Sequence, residues 1–473
     1  MNKPNIIMIY VDDMGWRDLM CFGSTFYETP NIDKLASEGM RFSQAYSTSP
    51  VCSPARASLM TGKYPASIGI TNWVNWFGRE DEPDLAHRGK LMDVPYKHHL
   101  PHSEKTIAAA LREGGYATWH VGKWHLGGEG SLPTDHGFDI NIGGNHMGAP
   151  MSGYFSPYNI PYLDNGPEGE FLTDRLTDEA INLIRRNKET KNAPFYLNLW
   201  HYAVHTPIQG IKEDVEYFKQ KAARLKLDQL NHMLEGENFP FEWQKHNRVE
   251  RRMLQSDPTY AALIYNLDKN IGRLMQAIEQ MELTKNTMII FSSDNGGLST
   301  AEGSPTCNLP LAEGKGWMYD GGVRVPLIVK WPGNISANTI NDEVVTCADF
   351  YPTFLEAASL PLIPEQHYDG ISLLPTLTGQ GKLEREAVFW HYPHYANQGG
   401  TPGCAVRIGD YKLIEFFEDG NLELYNLKND ISECCDLSND RQEIRDAMYK
   451  QLCDWKEQVN ANIPANNPDW KPI

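Results

Sequence analysis

Residues 52 to 62 read Cys52-Ser53-Pro54-Ala55-Arg56-Ala57-Ser58-Leu59-Met60-Thr61-Gly62: a thiol, a Ser-Pro pair, an arginine four positions on, and a closing glycine. Pro54 suits the first turn of a helix, Ser53 its cap and Gly62 its end, so the spacing predicts Cys52 at the mouth of a helix N-terminus. Such an end attracts anions. Arg56 adds a planar positive fork about one turn along, suited to gripping a tetrahedral oxyanion and balancing the charge of a nucleophile. Two acidic sets accompany it. Asp12 and Asp13 follow the apolar run 6–11 directly, and Asp294-Asn295-Gly296-Gly297 follows the apolar run 287–292. Ligands of parallel α/β sheets gather at the carboxyl ends of strands. Three carboxylates and an amide oxygen make an all-oxygen set for a hard cation. Each pair taken singly also suits an ordinary strand-end turn.

Basic groups recur at other strand ends. The segment Gly115-Tyr116-Ala117-Thr118-Trp119-His120-Val121-Gly122-Lys123-Trp124-His125-Leu126-Gly127 ends in a lysine and a histidine two apart, a spacing that projects both the same way from an extended chain. His120 reads as a packed, hydrogen-bonded residue. Tyr202-Ala203-Val204-His205-Thr206-Pro207 closes the apolar run 195–200, and Gly314-Lys315-Gly316-Trp317 precedes Asp320-Gly321-Gly322-Val323-Arg324-Val325-Pro326. By residue type alone His205 also suits a core and Lys315 a solvated loop. Arg324 reads as a tie between loop and sheet.

The run from Cys52 resembles the C-x-P-x-R-x-x-x-x-T-G motif of type I sulfatases, of the alkaline phosphatase superfamily, and matches it at every fixed position. The 115–125 segment likewise matches the G-Y-x-T-x-x-x-G-K-x-H motif of that family. The resemblance extends over nearly the whole chain and is nearest to bacterial carbohydrate sulfatases and arylsulfatase A-like enzymes. It implies that a maturation enzyme converts Cys52 to formylglycine, and that Asp12, Asp13, Asp294, Asn295 and the residue at 52 hold Ca2+, or Mg2+. It further implies a two-step transfer. One hydroxyl of the hydrated aldehyde attacks sulfur while Arg56, Lys123 and Lys315 hold the sulfate oxygens and His205 or Lys315 protonates the leaving alcohol. His125 then deprotonates the second hydroxyl so that sulfate departs.

The leaving alcohol is read from aromatic and amide clusters. Trp73, Asn75 and Trp76 follow the predicted helix, Asn145-His146 lies in a Gly-rich loop, and His391-Tyr392-Pro393-His394-Tyr395 with Asn397-Gln398 opens the C-terminal part. Aromatic faces beside amides and imidazoles suit a sugar ring, so Trp73, His146, His391 and His394 are substrate candidates. The His/Tyr-rich segment from His391 resembles that of bacterial sulfatases acting on carbohydrate sulfates, and the resemblance implies an exo-acting O-sulfatase on a galactose or N-acetylgalactosamine type sugar, with aryl sulfates as further substrates. Two other readings stay open: a phosphonate or phosphate ester hydrolase of the same superfamily, and an inactive sulfoglycan-binding protein with unmodified Cys52.

These residues need a scaffold. Apolar runs alternating with helical patterns through about residue 360 predict an α/β fold, a large mostly parallel sheet flanked by helices. Strands are expected at 6–11, 116–121, 195–200 and 287–292, and helices at 103–113 and 172–187. A further helix carries the apolar stripe Tyr260, Ile264, Leu267, Ile271, Leu274, Ile278 and Met281. Residues 211–256 form a charged insertion expected to hold short helices and to line or cover the active-site mouth. After residue 384 short strands at 387–391, 405–408, 411–417 and 422–425, with turn signals at Gly409-Asp410 and Asp419-Gly420, predict a small antiparallel sheet covered by a helix at 440–458. The expected division is a catalytic α/β domain over 1–384 and an α+β subdomain over 385–473.

At 473 residues and 41% hydrophobic content the chain can bury a large core. A net charge of -18 opposes general nucleic-acid or acidic-membrane binding, so an anionic substrate must be drawn by local charge. No run reaches transmembrane length. The start at Met1, opening straight into a strand, reads as cytoplasmic if native and as periplasmic or secreted if a leader has been removed. The eight cysteines show no paired zinc spacing and read as mostly reduced thiols. The sequence leaves the oligomeric state open.

Overall fold

A computed structural model describes residues 3–75 and 88–471; Trp76 lies outside them. All seven residues of the first strand, Asn5–Val11, are buried, which requires a sheet covered on both faces. Ile7, Ile9 and Val11 face a core shared with the helices Leu172–Thr190 and Pro258–Gln280. Ile6, Met8 and Tyr10 face a second core shared with the helices Cys52–Thr61, Ile107–Glu113 and Phe350–Ala357. The apolar stripe from Tyr260 to Ile278 is therefore core, as its helical spacing indicates.

The eight-stranded sheet runs, edge to edge, Thr339–Asn341, Met40–Phe42, Leu327–Lys330, Thr287–Ser293, Asn5–Val11, Phe195–Trp200, Ala117–Gly122 and Ile140–Ile142. The central pairings are parallel, with Ile7 opposite Leu197 on one side and Ile289 on the other. Leu327–Lys330 runs antiparallel to both its neighbours. This is the large, mostly parallel sheet that the alternating pattern predicts. The parallel arrangement puts the C-terminal ends of the strands at 5–11, 117–122, 195–200 and 287–293 along one edge.

Three local differences from the expected elements have plain causes. The helix expected from Ser103 starts at Ile107, because Thr106 supplies the cap: its Oγ1 accepts from the Ala109 amide at 3.1 Å. In the Cys52–Thr61 helix the cap position falls on Val51, while Ser53 Oγ accepts from the Val74 amide at 2.9 Å and so ties the helix to the 71–75 segment. Its far end does close at Gly62, in the left-handed conformation at φ 70°. Within 211–256 the helix Lys212–Arg224 is followed by an antiparallel hairpin, Met233–Asn238 with Arg248–Arg252. Cross-strand pairs Arg248–Glu235 at 2.6 Å and Arg251–Glu237 at 2.8 Å hold that hairpin, and charge pairing of this kind leaves no apolar alternation to read.

The C-terminal strands Val388–Tyr392, Gly403–Ile408, Tyr411–Phe416 and Leu422–Asn426 pair in sequence order as an antiparallel sheet. One face, including Val406, Leu413 and Leu424, packs on Met448, Leu452 and Trp455 of the helix Gln442–Gln458. The other, through Trp390, Ala405 and Ile414, packs on Tyr46, Val51 and Val323. Trp390 Nε1 donates to the Ser47 carbonyl at 2.7 Å, so this sheet backs the loop that leads into Cys52. Lys412 reaches across to Asp320 at 2.9 Å, and Arg324 donates to the Ser43 carbonyl at 2.6 Å, the tie expected of Arg324. All cysteines among the described residues are unpaired thiols. No helix among the described residues is long and apolar enough to cross a membrane.

Candidate active site

The strand ends bring the acidic and basic sets together. Asp12, Asp13, Asp294 and Asn295 are all essentially buried, as are Arg56 and Lys123. Arg56 donates to Asp294 Oδ2 from Nε at 2.9 Å and from Nη2 at 2.7 Å, and Nη2 also stands 3.5 Å from Asp12. Lys123 Nζ grips both oxygens of Asp12, at 2.8 and 2.7 Å. Lys315 Nζ donates to Asp13 Oδ2 at 2.8 Å. Three carboxylates thus face three cations.

Burial raises the Asp12 carboxyl well above its usual range, and the neighbouring Asp294 and Asp13 add to this against the pull of Lys123. Burial alone would raise Asp13 too, yet Lys315 and His205 outweigh it and hold it low. Asp294 ends low because Arg56, then Lys123, overcomes its burial. Such a cluster accepts further positive charge readily.

The donor set fits a divalent cation. Asn295 Nδ2 donates to Asp13 Oδ1 at 2.8 Å, leaving Asn295 Oδ1 buried with no hydrogen-bond partner beside the carboxylates. Ligand atoms of Asp12, Asp294 and Cys52 lie within 4.8 Å of one another, as do those of Asp12, Asp13 and His205. Hard oxygens around an orphaned acceptor suit calcium or magnesium. A divalent cation would hold all three carboxylates ionised against the three cations and leave the site net positive, able to draw an anion to a chain of charge -18.

Cys52 lies under a cavity of about 380 Å³. Its Sγ is 3.2 Å from His125 Nδ1. The other ring nitrogen of His125, Nε2, is 3.2 Å from the Val74 carbonyl; a carbonyl only accepts, so Nε2 carries the proton and Nδ1 offers a bare lone pair to residue 52. Burial, with Lys123 and Arg56 adding to it, holds the ring well below its ordinary pKa and so neutral. Burial also raises the Cys52 thiol, against the pull of Lys123 and Lys315, so this is no activated thiolate.

His205 and Lys315 stand at the other side of the cavity. His205 Nδ1 donates to the Thr206 carbonyl at 2.8 Å, and its Nε2 accepts from Lys315 Nζ at 3.1 Å. Burial and Lys315 lower His205 to about 4, while Asp13 and Glu302 pull the other way. Lys315 is raised, because Asp13 outweighs the cost of its burial. Lys315 is therefore the charged member of this pair and His205 the neutral one, a division that residue types alone do not reveal.

Of the sequence candidates, Cys52, His125, His205, Lys315, Trp73 and His146 line the cavity, while Arg56 and Lys123 lie beneath it among the carboxylates. His391 and His394 do not line it. His394 is fully buried, its Nδ1 2.5 Å from Asp93 Oδ1 and its Nε2 2.8 Å from Thr71 Oγ1, so it braces the segment that carries Trp73. His391 is buried against the Asn462 carbonyl. His120 packs among Trp124, Phe138 and Trp200, as its strand position suggests. No described residue of 211–256 lines the cavity; Val249 instead packs behind it with Trp317. Sequence reasoning passed over Glu302 and Gly148, which do line it. Gly148 closes the same Gly-rich loop that drew attention to His146.

Comparison with known proteins places the chain among sulfatases. The family described as sulfatase matches residues 4–360, and the C-terminal region of N-sulphoglucosamine sulphohydrolase matches 313–458. A protein named sulfatase from Formosa agariphila is 31% identical, covering 95% of this chain and 87% of its own. The N-acetylgalactosamine-6-sulfatase of Rattus norvegicus is 30% identical, covering 86% of this chain and 71% of its own. Among solved structures, Ps i-CgsB in complex with k-i-k-neocarrahexaose superposes with a TM-score of 0.75 at 28% identity, covering 100% of this chain and 95% of that one.

Proposed function

The chain belongs to the sulfatase family and is a sulfuric ester hydrolase, and from that premise we propose the following for its site and substrate. Cys52 is the precursor of formylglycine, and Asp12, Asp13, Asp294 and Asn295 hold calcium or magnesium. The substrate is a sulfated sugar of galactose or N-acetylgalactosamine type, cleaved at the end of a glycan. The observation that carries this is the contact of His125 Nδ1 with Cys52 Sγ at the floor of a cavity, with the carboxylates of Asp12 and Asp294 beside Cys52 beneath it.

Formylglycine at residue 52 would supply the hydroxyl nucleophile of a hydrated aldehyde, and a divalent cation held by Asp12, Asp13, Asp294 and Asn295 would supply Lewis acidity. The chain's own residues do the rest. His125 takes a proton at Nδ1 from the side chain of residue 52, with Val74 fixing its tautomer. Lys315 presents an ammonium to the sulfate and to the departing alcohol, and His205 holds that ammonium from behind. Arg56 and Lys123 offset the carboxylates and keep them ordered; removing either would leave a buried charge unpaired, a cost on the order of 3–5 kcal/mol.

Trp73, Met147 and Met151 give the cavity apolar walls, and Asn75, His146, Asn397 and Gln398 give it polar edges. That mixture suits a sugar ring, and a volume at the small end of ligand cavities suits a terminal residue of a glycan. The relatives named N-acetylgalactosamine-6-sulfatase support the galactose-type reading, and the neighbour complexed with neocarrahexaose supports a glycan substrate.

The test pairs mass with turnover. The peptide containing Cys52 should carry an aldehyde in place of the thiol in active protein, and a galactoside monosulfate should be hydrolysed faster than a matched phosphate monoester. Full activity in protein with an intact thiol would overturn the formylglycine assignment.

A further inference from the structure

Glu302 is the one carboxylate among the described residues that line the cavity. It sits in a turn with three successive left-handed residues, Glu302 at φ 53°, Gly303 at 87° and Ser304 at 43°. Glutamate and serine adopt that conformation only when their surroundings hold them to it. The surroundings do so: Ser304 Oγ donates to the Glu250 carbonyl at 2.8 Å, and the Ser304 amide to the Ala301 carbonyl at 2.7 Å. Thr300 Oγ1 and Trp317 Nε1 both donate to the Gln398 carbonyl, each at 2.9 Å. The turn is thus fixed to the 398 loop on one side and to the Arg248–Arg252 strand on the other.

The carboxylate itself is only partly engaged. Oε1 accepts from Gln398 Nε2 at 2.8 Å and Oε2 from Thr206 Oγ1 at 3.2 Å. A carboxylate has about four acceptor positions, and the residue is exposed to the cavity. The remaining lone pairs can be met only by a donor. A hydroxyl is such a donor; a second sulfate or a carboxylate is not, and would meet like charge. Glu302 hydrogen-bonds none of the reacting groups: it feels the charge of Lys315 and His205 across the cavity, and its hydrogen-bonded link to them runs through Thr206, whose hydroxyl lies 3.3 Å from His205 Nδ1.

We propose that Glu302 selects the sugar, accepting a hydrogen bond from a hydroxyl beside the sulfate-bearing carbon and repelling a second anionic group at that place. The assignment rests on the sugar-sulfate reading above. It predicts a substrate with one sulfate next to free hydroxyls, so that any neighbouring sulfate must first be removed by another hydrolase.

The experiment compares wild type, Glu302→Gln and Glu302→Ala on 4-nitrophenyl sulfate, on methyl galactoside monosulfates at each ring position, and on the disulfates that carry the neighbouring sulfate. In Glu302→Ala the ratio of kcat/KM for the preferred sugar monosulfate to that for the aryl sulfate should fall at least tenfold, chiefly through KM. In Glu302→Gln, which keeps an acceptor oxygen but no charge, this ratio should fall less, while the preference for monosulfate over disulfate should shrink at least tenfold. Equal losses on aryl and sugar sulfates would show that Glu302 acts through Thr206 on His205, and would overturn the proposal. Ratios within threefold of wild type would remove Glu302 from substrate selection and leave the sugar reading standing. A wild-type enzyme that cleaves the aryl sulfate but none of the galactosides would refute the sugar reading and the Glu302 assignment with it.

Discussion

Placing a methyl group on Gly148 tests the claim that His125 must sit where it does. Gly148 lies against the ring, and a Cβ built there would come 2.5 Å from His125 Cε1, 2.7 Å from Nε2 and 3.1 Å from Nδ1. An ordinary carbon contact needs about 3.5 Å, so the ring must retreat by about 1 Å. The retreat stretches either the 3.2 Å contact of Nδ1 with residue 52 or the 3.2 Å bond of Nε2 to the Val74 carbonyl. A misplacement of that size at a proton-transfer group costs about 100-fold in rate, or about 2.7 kcal/mol of barrier. The backbone at 148 does not require glycine for its conformation, so the loss should come from the ring alone. The assay is kcat on an aryl sulfate, alongside formylglycine content and thermal midpoint. Near-normal kcat in Gly148→Ala would refute the claim that His125 works from its observed position, and a fall in kcat that merely tracked a fall in formylglycine content would refute it as well.

Other outcomes follow from the same geometry. Calcium at a hundredfold excess over its dissociation constant should stabilise the protein by about 2.7 kcal/mol, and Asp294→Asn should abolish that gain; an unchanged melting shift would remove Asp294 from the ligand set. His205→Ala should slow alkyl sulfates more than aryl sulfates, by about tenfold or more, because poor leaving groups depend on the Lys315 proton that His205 orients; equal slowing of both would count against that role. The fully buried His201, lowered to about 3 by burial and unpartnered at both ring nitrogens, stays neutral while the unfolded chain takes a proton. Its contribution is therefore present above pH 6.5 and is lost as pH falls below it, by about 2 kcal/mol near pH 5. Asp18, raised to about 6 by burial, acts with the opposite sign, so the clean measurement is denaturant unfolding of His201→Asn against wild type at pH 7 and pH 5. Parallel pH dependences in the two proteins would refute the assignment.

The chemistry was legible where residue type and strand-end position coincide. Asp12, Asp13, Asp294 and Asn295 each follow a buried apolar strand, and a parallel sheet must then bring them to one edge. Lys123 and His125 were visible for the same reason. The strand Phe195–Trp200 and the helix Pro258–Gln280 were legible because most of their buried positions are apolar, at the spacing each element requires. What remained hidden depends on tertiary contact. The tautomer of His125 is fixed by a carbonyl at residue 74, and a carbonyl carries no side-chain signal. His394 looked like a sugar ligand by composition, but its partner Asp93 lies 301 residues away. Glu302 sits in an irregular turn, where periodicity has nothing to report.

All ten residues of the Cys52–Thr61 helix are buried, and Cys52 is 3% exposed. The loop entering that helix is pinned by Trp390 from a sheet laid down more than three hundred residues later in the chain. On the formylglycine reading, an oxidising enzyme would need the thiol in its own cleft, whereas the folded protein offers it only at the floor of a cavity of about 380 Å³. That reading places oxidation before the C-terminal strands dock, and a chain that folded first would keep its thiol in the same shape as an active one. The specific activity of a preparation would then record the race between oxidation and folding.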